Sequence, residues 1–496
     1  MPARNESTKQ PILYIDEHTE NVQEKKSSLA IFFILLVIVA ATLVVHVLII
    51  SKLYFIPESL AIVILGASIG LGLSYSKRDW TEVETFSPNI FFLVLLPPII
   101  FESGYNLHKG DFFTNMFPIL SFAILGTVIS ALTIGSSLYI LGQADLIYKL
   151  TAEESFTFGS MISAVDPVAT LAIFQALNVE RMLYMLVFGE SMLNDAVAIV
   201  LTSTCQQMSR ETISSSNFES LFFAVISRFT YVFFVSALVG AFVGFISALL
   251  FKHVDLRKTP SLEFALLLIF AYLPYGLAEA ISLSGIMAIL SCSITMSQYT
   301  HFNISPITQI TMQQTFRTLA FVAETCTFAY LGLALFTIKL QFQPMLISWS
   351  ILLCFIGRAL NVFPLAYVVN KCRHAQISIK NQFIMCYSGM RGAVAFALSL
   401  HISVENEETK RILLTATLVI VLFTIIFLGG TTLPVLRILS YLFPERKRRK
   451  YGLRSASNRS RSAVLLSKTQ EMVIFDQSEY LTSDVEENFK NGWRIE

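Results

Sequence analysis

The chain has 496 residues, of which 54% are hydrophobic and only 14% charged, and its mean hydropathy is +0.63. A water-facing surface carries about 25–35% charged residues, so this composition excludes an ordinary soluble domain and points to a lipid bilayer as the main solvent. The formal net charge of +1 offers no polyanion-binding surface, and nucleic acid is excluded as a partner.

A spanning helix needs about 20 mostly apolar residues. After a mixed-charge tail over 1–27, such runs recur at 28–50, 57–75, 88–103, 112–141, 155–177, 182–206, 220–250, 260–280, 283–299, 306–338, 346–370, 380–402 and 409–439. The expected fold is therefore all-α and polytopic, with about 13 transmembrane helices over residues 28–440. The first run is too long for a signal-peptide core and is read as a retained first helix, with cleavage as the alternative. Six cysteines (Cys205, Cys292, Cys326, Cys354, Cys372, Cys386) stand singly in or beside the spans, without the pairing of a disulfide framework or zinc site. No cofactor is implied.

An odd number of spans puts the termini on opposite sides. Arg446, Lys447, Arg448, Arg449, Lys450 and Arg454 crowd the end of the last span, which makes that end cytoplasmic by the positive-inside bias. Lys252, Arg257 and Lys258 after the seventh span, and Lys371, Arg373 and Lys380 after the eleventh, agree. The glycosylation sequon at Asn5 then lies on the lumenal or extracellular side, whereas those at Asn303 and Asn458 face the cytoplasm. The polar segment 441–496 is expected to be a largely disordered cytoplasmic tail.

Two spans contain helix breakers. The fifth carries Asp166-Pro167 and the twelfth Ser388-Gly389-Met390-Arg391-Gly392. The breaks are seven spans apart, an odd offset, so the two broken helices run in opposite directions. Two inverted six-helix repeats with broken crossing helices would produce that arrangement, and such breaks mark a transporter's substrate site near the midplane. Two unrelated kinks are the plainer alternative.

Ionisable groups inside a span are costly and mark pathways or partners. The sixth span holds Glu190, Ser191, Asn194 and Asp195 in an otherwise apolar run. Ser191 and Asp195 share one helix face, and Glu190 and Asn194 share another, while the two acids diverge by about 140°. Asp195 is the candidate cation and proton site, because burial disfavours its charged form and lets protons compete with a small hard cation for it. Asp166, the Ser191 hydroxyl and carbonyls freed at the fifth-span break can complete an oxygen cage for Na+ or K+. Asn194 is an uncharged amide beside Asp195, so this dipeptide holds one negative charge. Glu190 is read as half of a structural ion pair with Arg358 in the eleventh span. Arg391 lies inside the twelfth-span break, where Glu324 of the tenth span and the broken fifth helix are both open to it as partners. Glu102 and Glu279 lie near span ends, and His46 is read as a packing residue.

The segments Leu96-Pro97-Pro98-Ile99-Ile100-Phe101-Glu102, Ser163 to Thr170, Phe188 to Ala196 and Gly389-Met390-Arg391-Gly392-Ala393 resemble those of the eukaryotic sodium/proton exchangers, within the monovalent cation:proton antiporter superfamily. The resemblance runs over nearly all of 28–440. Asp255 to Phe264 and Phe270 to Glu279 are similar to the Golgi, endosomal or apical type within it. It implies a homodimer working by an elevator-like motion, with core helices at about 112–206 and 346–439 and dimerisation helices at about 28–103 and 220–338. It assigns the ion to Asp195, the crossover to Asp166 and the structural bridge to Glu190 with Arg358. The Asn-Asp pair, where electrogenic relatives have Asp-Asp, implies electroneutral exchange. Family tails are longer than 441–496, so a calcineurin-like calcium-binding partner is left open.

A sodium-coupled symporter and a non-transporting sensor on the same scaffold are the alternative functions. An intramembrane hydrolase would need a metal motif such as H-E-x-x-H, which the chain lacks. The sequence does not choose between sodium and potassium.

Overall fold

The structure, a computed structural model, describes residues 32–48, 50–51, 57–75, 91–107, 109–166, 171, 174, 181–211, 218–254, 256–337, 340–372, 376–402, 404 and 406–442. Asn5, Pro167, Arg373, the basic cluster after the last span and Asn458 lie outside these residues. Among the described residues every regular element is helical.

In chain order the helices are α1 (Phe32–Leu48), α2 (Glu58–Tyr75), α3 (Phe92–Tyr105), α4 (Met116–Gln143) and α5 (Ala152–Ile162). There follow α6 (Arg181–Glu211), α7 (Phe218–His253), α8 (Pro260–Ala280), α9 (Gly285–Thr295), α10 (Pro306–Thr337) and α11 (Pro344–Cys372). The twelfth span is divided into α12 (Ile379–Tyr387) and α13 (Ala393–His401), and the last consists of α14 (Glu407–Phe423) and α15 (Gly430–Leu442), joined by a π-helical turn over Thr424–Gly429. A second π-helical turn, Ser121–Gly126, interrupts α4. Among the described residues seven helical stretches are long and apolar enough to cross a membrane, and α1 to α3 add shorter apolar ones.

Local chemistry sets the helix starts. Thr151 and Glu154 form a reciprocal capping box at α5, with Glu154 N donating to Thr151 Oγ1 at 3.2 Å and Thr151 N donating to Glu154 Oε2 at 2.9 Å. The Ser284 hydroxyl accepts from Met287 N ahead of α9, that of Ser378 from Asn381 N ahead of α12, and the Asn406 side chain from Glu408 N ahead of α14.

Burial separates a centre from a periphery. The most apolar window of α6 is 83% buried and that of the α14 rod 72%, against 39% for α7 and 28% for α8. The first two therefore pack on all sides, whereas α7 and α8 turn apolar residues such as Leu238, Phe242 and Ile269 outward, as a lipid-facing helix does. The largest apolar cluster joins α4, α5, α6 and α11 to α15 and takes in residues of α3, α7, α8 and α9, such as Ile100, Phe233, Tyr275 and Leu290. A second joins α1, α2 and α10 to α13 and α14, and a third joins α3, α7, α8, α9 and α10. Gly332 of α10 meets the Val63 carbonyl of α2 so closely that a Cβ there would overlap it, which lets the two backbones touch as small residues allow in membranes.

Candidate functional site

The helix of α5 stops at Ile162, four residues before Asp166, and the chain leaves the helical ladder through Ser163, Ala164 and Val165. On the opposite strand of the crossing, α12 stops at Tyr387 and α13 starts at Ala393. The two unwound segments pair directly: Asp166 N donates to Met390 O at 2.9 Å. Contact is close enough that a Cβ on Gly392 would overlap the Asp166 side chain. A residue other than glycine does not fit there without moving one segment.

Arg391 is only 2% exposed in this crossing. Its Nη1 donates to Ser163 O at 3.0 Å and Ala164 O at 3.1 Å, the carbonyls that the end of α5 leaves without helical partners. A fixed cation at the negative end of a helix dipole is favourable. Of the two partners open to Arg391 in the sequence, the broken fifth helix takes these bonds; Glu324 lies half-buried on α10. Arg391 N also donates to Thr424 Oγ1 at 3.1 Å, at the start of the π-helical turn of the last span.

Glu190 and Arg358 meet in a forked pair. Arg358 Nη1 donates to Glu190 Oε1, and Nη2 to Oε2 at 3.1 Å. Arg358 Nη2 and Nε further donate to Met385 O at 3.0 and 3.3 Å. The residues are 2% and 3% exposed. The pair therefore ties α6 to α11 and to the last turn of α12, beside the break, with most of the arginine's donors used.

Asn194 is 1% exposed, and its amide lies 3.0 Å from the Thr127 hydroxyl of α4. Ser191 and Asp195 are partly buried on the same face of α6. Among the described residues the buried Asp195 Oδ1 has no hydrogen-bond partner, and Asp166 is near enough for the two carboxylates to repel. The structure thus gathers Asp166, Asp195, Asn194, Glu190, Arg358 and Arg391 around one crossing. A buried, unpaired carboxylate oxygen is costly unless a proton or cation meets it. Among the described residues no three His, Cys, Asp or Glu side chains converge as a metal cluster, so hydroxyl, amide and backbone oxygens must complete any shell around a hard cation.

Several polar contacts were not foreseen from sequence. Thr127 and Thr424 follow or begin π-helical turns, and a threonine in an apolar run carries no signal of its partner. Glu263, 1% exposed in the first turn of α8, accepts from Ser305 N at 3.1 Å, from Ser305 Oγ at 2.6 Å and from Thr308 Oγ1 at 2.6 Å. It caps α10 from another helix, and the Ser305-x-x-Thr308 pattern before a long apolar run was the available hint. Glu102 accepts from Asn106 Nδ2 at 3.0 Å, and Glu279 from Gly285 N at 3.2 Å.

Comparison with known proteins places this geometry among relatives. The family described as sodium/hydrogen exchanger, transmembrane, matches residues 28–438. The chain is 51% identical over 485 residues to sodium/hydrogen exchanger 8 of Homo sapiens, covering 97% of this chain and 82% of that protein. The protein of the same name in Gallus gallus is also 51% identical, with coverage of 97% and 83%. Sodium/hydrogen exchanger 1 of Dictyostelium discoideum is 42% identical over 398 residues, 80% of this chain and 58% of that one. The fold matches that of the sodium proton antiporter MjNhaP1 from Methanocaldococcus jannaschii at pH 8, with a TM-score of 0.65 at 20% identity over 85% of this chain and 100% of that one.

Proposed function

The chain belongs to the sodium/hydrogen exchanger family, and from that premise we propose that it exchanges sodium for protons across a membrane, one for one, with Asp195 as the shared site. The observation that carries this reading is the buried Asp195 Oδ1, without a hydrogen-bond partner among the described residues, beside the crossing of two broken helices. The nearby arginines are engaged elsewhere, Arg358 with Glu190 and Arg391 with the carbonyls of α5. Asp195 is left to bind either a proton or a cation, and the two exclude each other. No covalent step is involved.

Asp166, Ser191 and the amide of Asn194 supply further oxygens to the cation, and potassium fits the same kind of shell. With an amide at 194 instead of a second acid, the loaded site carries the same charge with Na+ as with H+, so exchange is electroneutral. Glu190 with Arg358 is a structural bridge, and Arg391 holds the break together. The helices at about 112–206 and 346–439 move as a core against those at about 28–103 and 220–338, which form the contact of a homodimer. The C-terminal tail is cytoplasmic, and the membrane is of Golgi, endosomal or apical type, where exchange adjusts pH and sodium.

The test is transport by purified protein in proteoliposomes that enclose a pH dye. Imposed sodium or potassium gradients are expected to move protons, at a rate that an imposed voltage leaves unchanged. A rate that follows voltage would contradict electroneutrality. Proton movement only after an organic solute is added would establish symport instead, and no movement under any gradient would favour a sensor.

A further inference from the structure

His401 is the last residue of α13, and its backbone lies about 12 Å along the helix from Ala393 at the second break. Its ring stands edge-on to Phe92, the first residue of α3, with centroids 5.2 Å apart at 77°. Glu279, next to last in α8, is near enough for its charge to act on His401. One oxygen of Glu279 accepts from Gly285 N at 3.2 Å, where α9 begins, and the other makes no hydrogen bond among the described residues. In the proposed motion α13 belongs to the half that moves, and α3 and α8 to the half that stays, so this contact has to part in every cycle. The last span runs from Glu407 to a tail placed in the cytoplasm, which puts the end of α13 on the lumenal or extracellular face.

The other charged and titratable groups on the neighbouring elements are placed elsewhere. On α14, Glu407 and Arg411 pair with each other at 3.9 Å, Glu408 is exposed and Lys410 half-buried. On α5, Glu154 closes the capping box and Glu153 is exposed in the same turn. On α10, Tyr330 packs on Phe396, and Glu324 lies further from that end of the helix. Glu102 bonds Asn106 at the opposite end of α3, and Tyr275 neighbours Glu279 from one turn back in α8. Among the described residues Glu279 is the charge that reaches His401.

A histidine side chain changes charge between about pH 5 and 8. A neutral ring packs on Phe92 and no more; a charged ring also attracts Glu279, at the carbonyl end of α13, where a cation is favourable. We infer that His401 is a proton-operated latch: charged from the lumenal side, it ties the mobile half to Glu279 and Phe92 of the scaffold and slows the departure of the core. The inference rests on the exchange reading and on its division of the helices. The latch holds while His401 is protonated and Glu279 is not, and it releases as pH rises and the histidine loses its proton. Both side chains are exposed, so water and salt screen the attraction and its effect is about two- to fivefold.

The test uses the full chain in proteoliposomes, following sodium-for-sodium exchange at saturating sodium with equal pH on both sides, over about pH 5.5 to 7.5. Saturating sodium suppresses proton competition at Asp195. The wild-type maximal rate is expected to rise about two- to fivefold over that range. His401→Gln and Glu279→Gln are expected to run fast throughout, and the exchanged pair His401→Glu with Glu279→His to regain the dependence. The inference is overturned if either single variant keeps the wild-type dependence, or if the wild type exchanges sodium at one rate throughout. Hydrogen exchange in detergent, corrected for the intrinsic effect of pH, reads the latch without transport. Protection in the last turn of α13 is expected to be greater at the acidic end in the wild type and in Asp195→Asn, and equal at both ends in His401→Gln. If the wild type exchanges no sodium while this pattern holds, the exchange reading fails and the proton-operated contact stands; if exchange is normal and the pattern is absent, the latch alone falls.

Discussion

Glu190 and Arg358 show what a buried ion pair does in this chain. Each is almost fully enclosed, and Arg358 adds two bonds to Met385 O. Removing one partner strands the other charge at a cost of about 3–5 kcal/mol, whereas replacing both with apolar side chains of similar volume is often near neutral. Glu190→Gln is therefore expected to lower the unfolding temperature in detergent sharply, and Glu190→Leu combined with Arg358→Met to recover most of the loss. If the double variant were stable but unable to transport, the pair would have a role in ion movement and not only in structure. Asp195 contrasts with it. Its Oδ1 has no such partner, so Asp195→Asn is expected to leave stability unchanged or raised while abolishing exchange.

At the scale of elements, the crossing of α5 with α12 and α13 depends on close approach. Gly392→Val places a side chain into Asp166, and is expected to stop transport through distortion of the break; Gly430→Ala, where an added Cβ meets nothing within 4 Å, serves as the control and should transport normally. Thr151→Ala removes the α5 capping box and is expected to cost about 1 kcal/mol, visible as faster hydrogen exchange at the start of α5. If α5 protection stayed at the wild-type level, the cap would be redundant. The spans themselves were legible in the sequence, because twenty apolar residues between polar breaks have few other meanings; predicted 57–75, 260–280 and 306–338 correspond to Glu58–Tyr75, Pro260–Ala280 and Pro306–Thr337. The breaks were legible too, from Asp166-Pro167 and the glycines around Arg391. What the sequence does not encode locally is pairing across helices. Arg391 had two open partners until the structure brought it to Ser163 O and Ala164 O. The π-helical turns that orient Thr127 and Thr424 differ from α-helix by one residue of register and leave no mark in an apolar run.

At the scale of the whole molecule, the proposed motion sets α4 to α6 and α11 to α15 against α1 to α3 and α7 to α10, across apolar clusters that join the two groups. Phe101 of α3 and Phe316 of α10 lie on one side of that division, with ring centroids 4.3 Å apart, while Tyr330 of α10 and Phe396 of α13 meet across it at 5.9 Å. In a background without the six native cysteines, a short bifunctional reagent joining Tyr330→Cys to Phe396→Cys is expected to arrest exchange. Joining Phe101→Cys to Phe316→Cys should leave it intact. Arrest by both links, or by neither, would contradict a rigid core moving against a rigid scaffold. The central claim, that one carboxylate binds proton and cation in turn, is tested most directly by sodium-driven proton movement in proteoliposomes containing wild-type protein or folded Asp195→Asn. The account predicts exchange by the wild type and none by the variant; sodium-driven proton movement by the variant at the wild-type rate would contradict it.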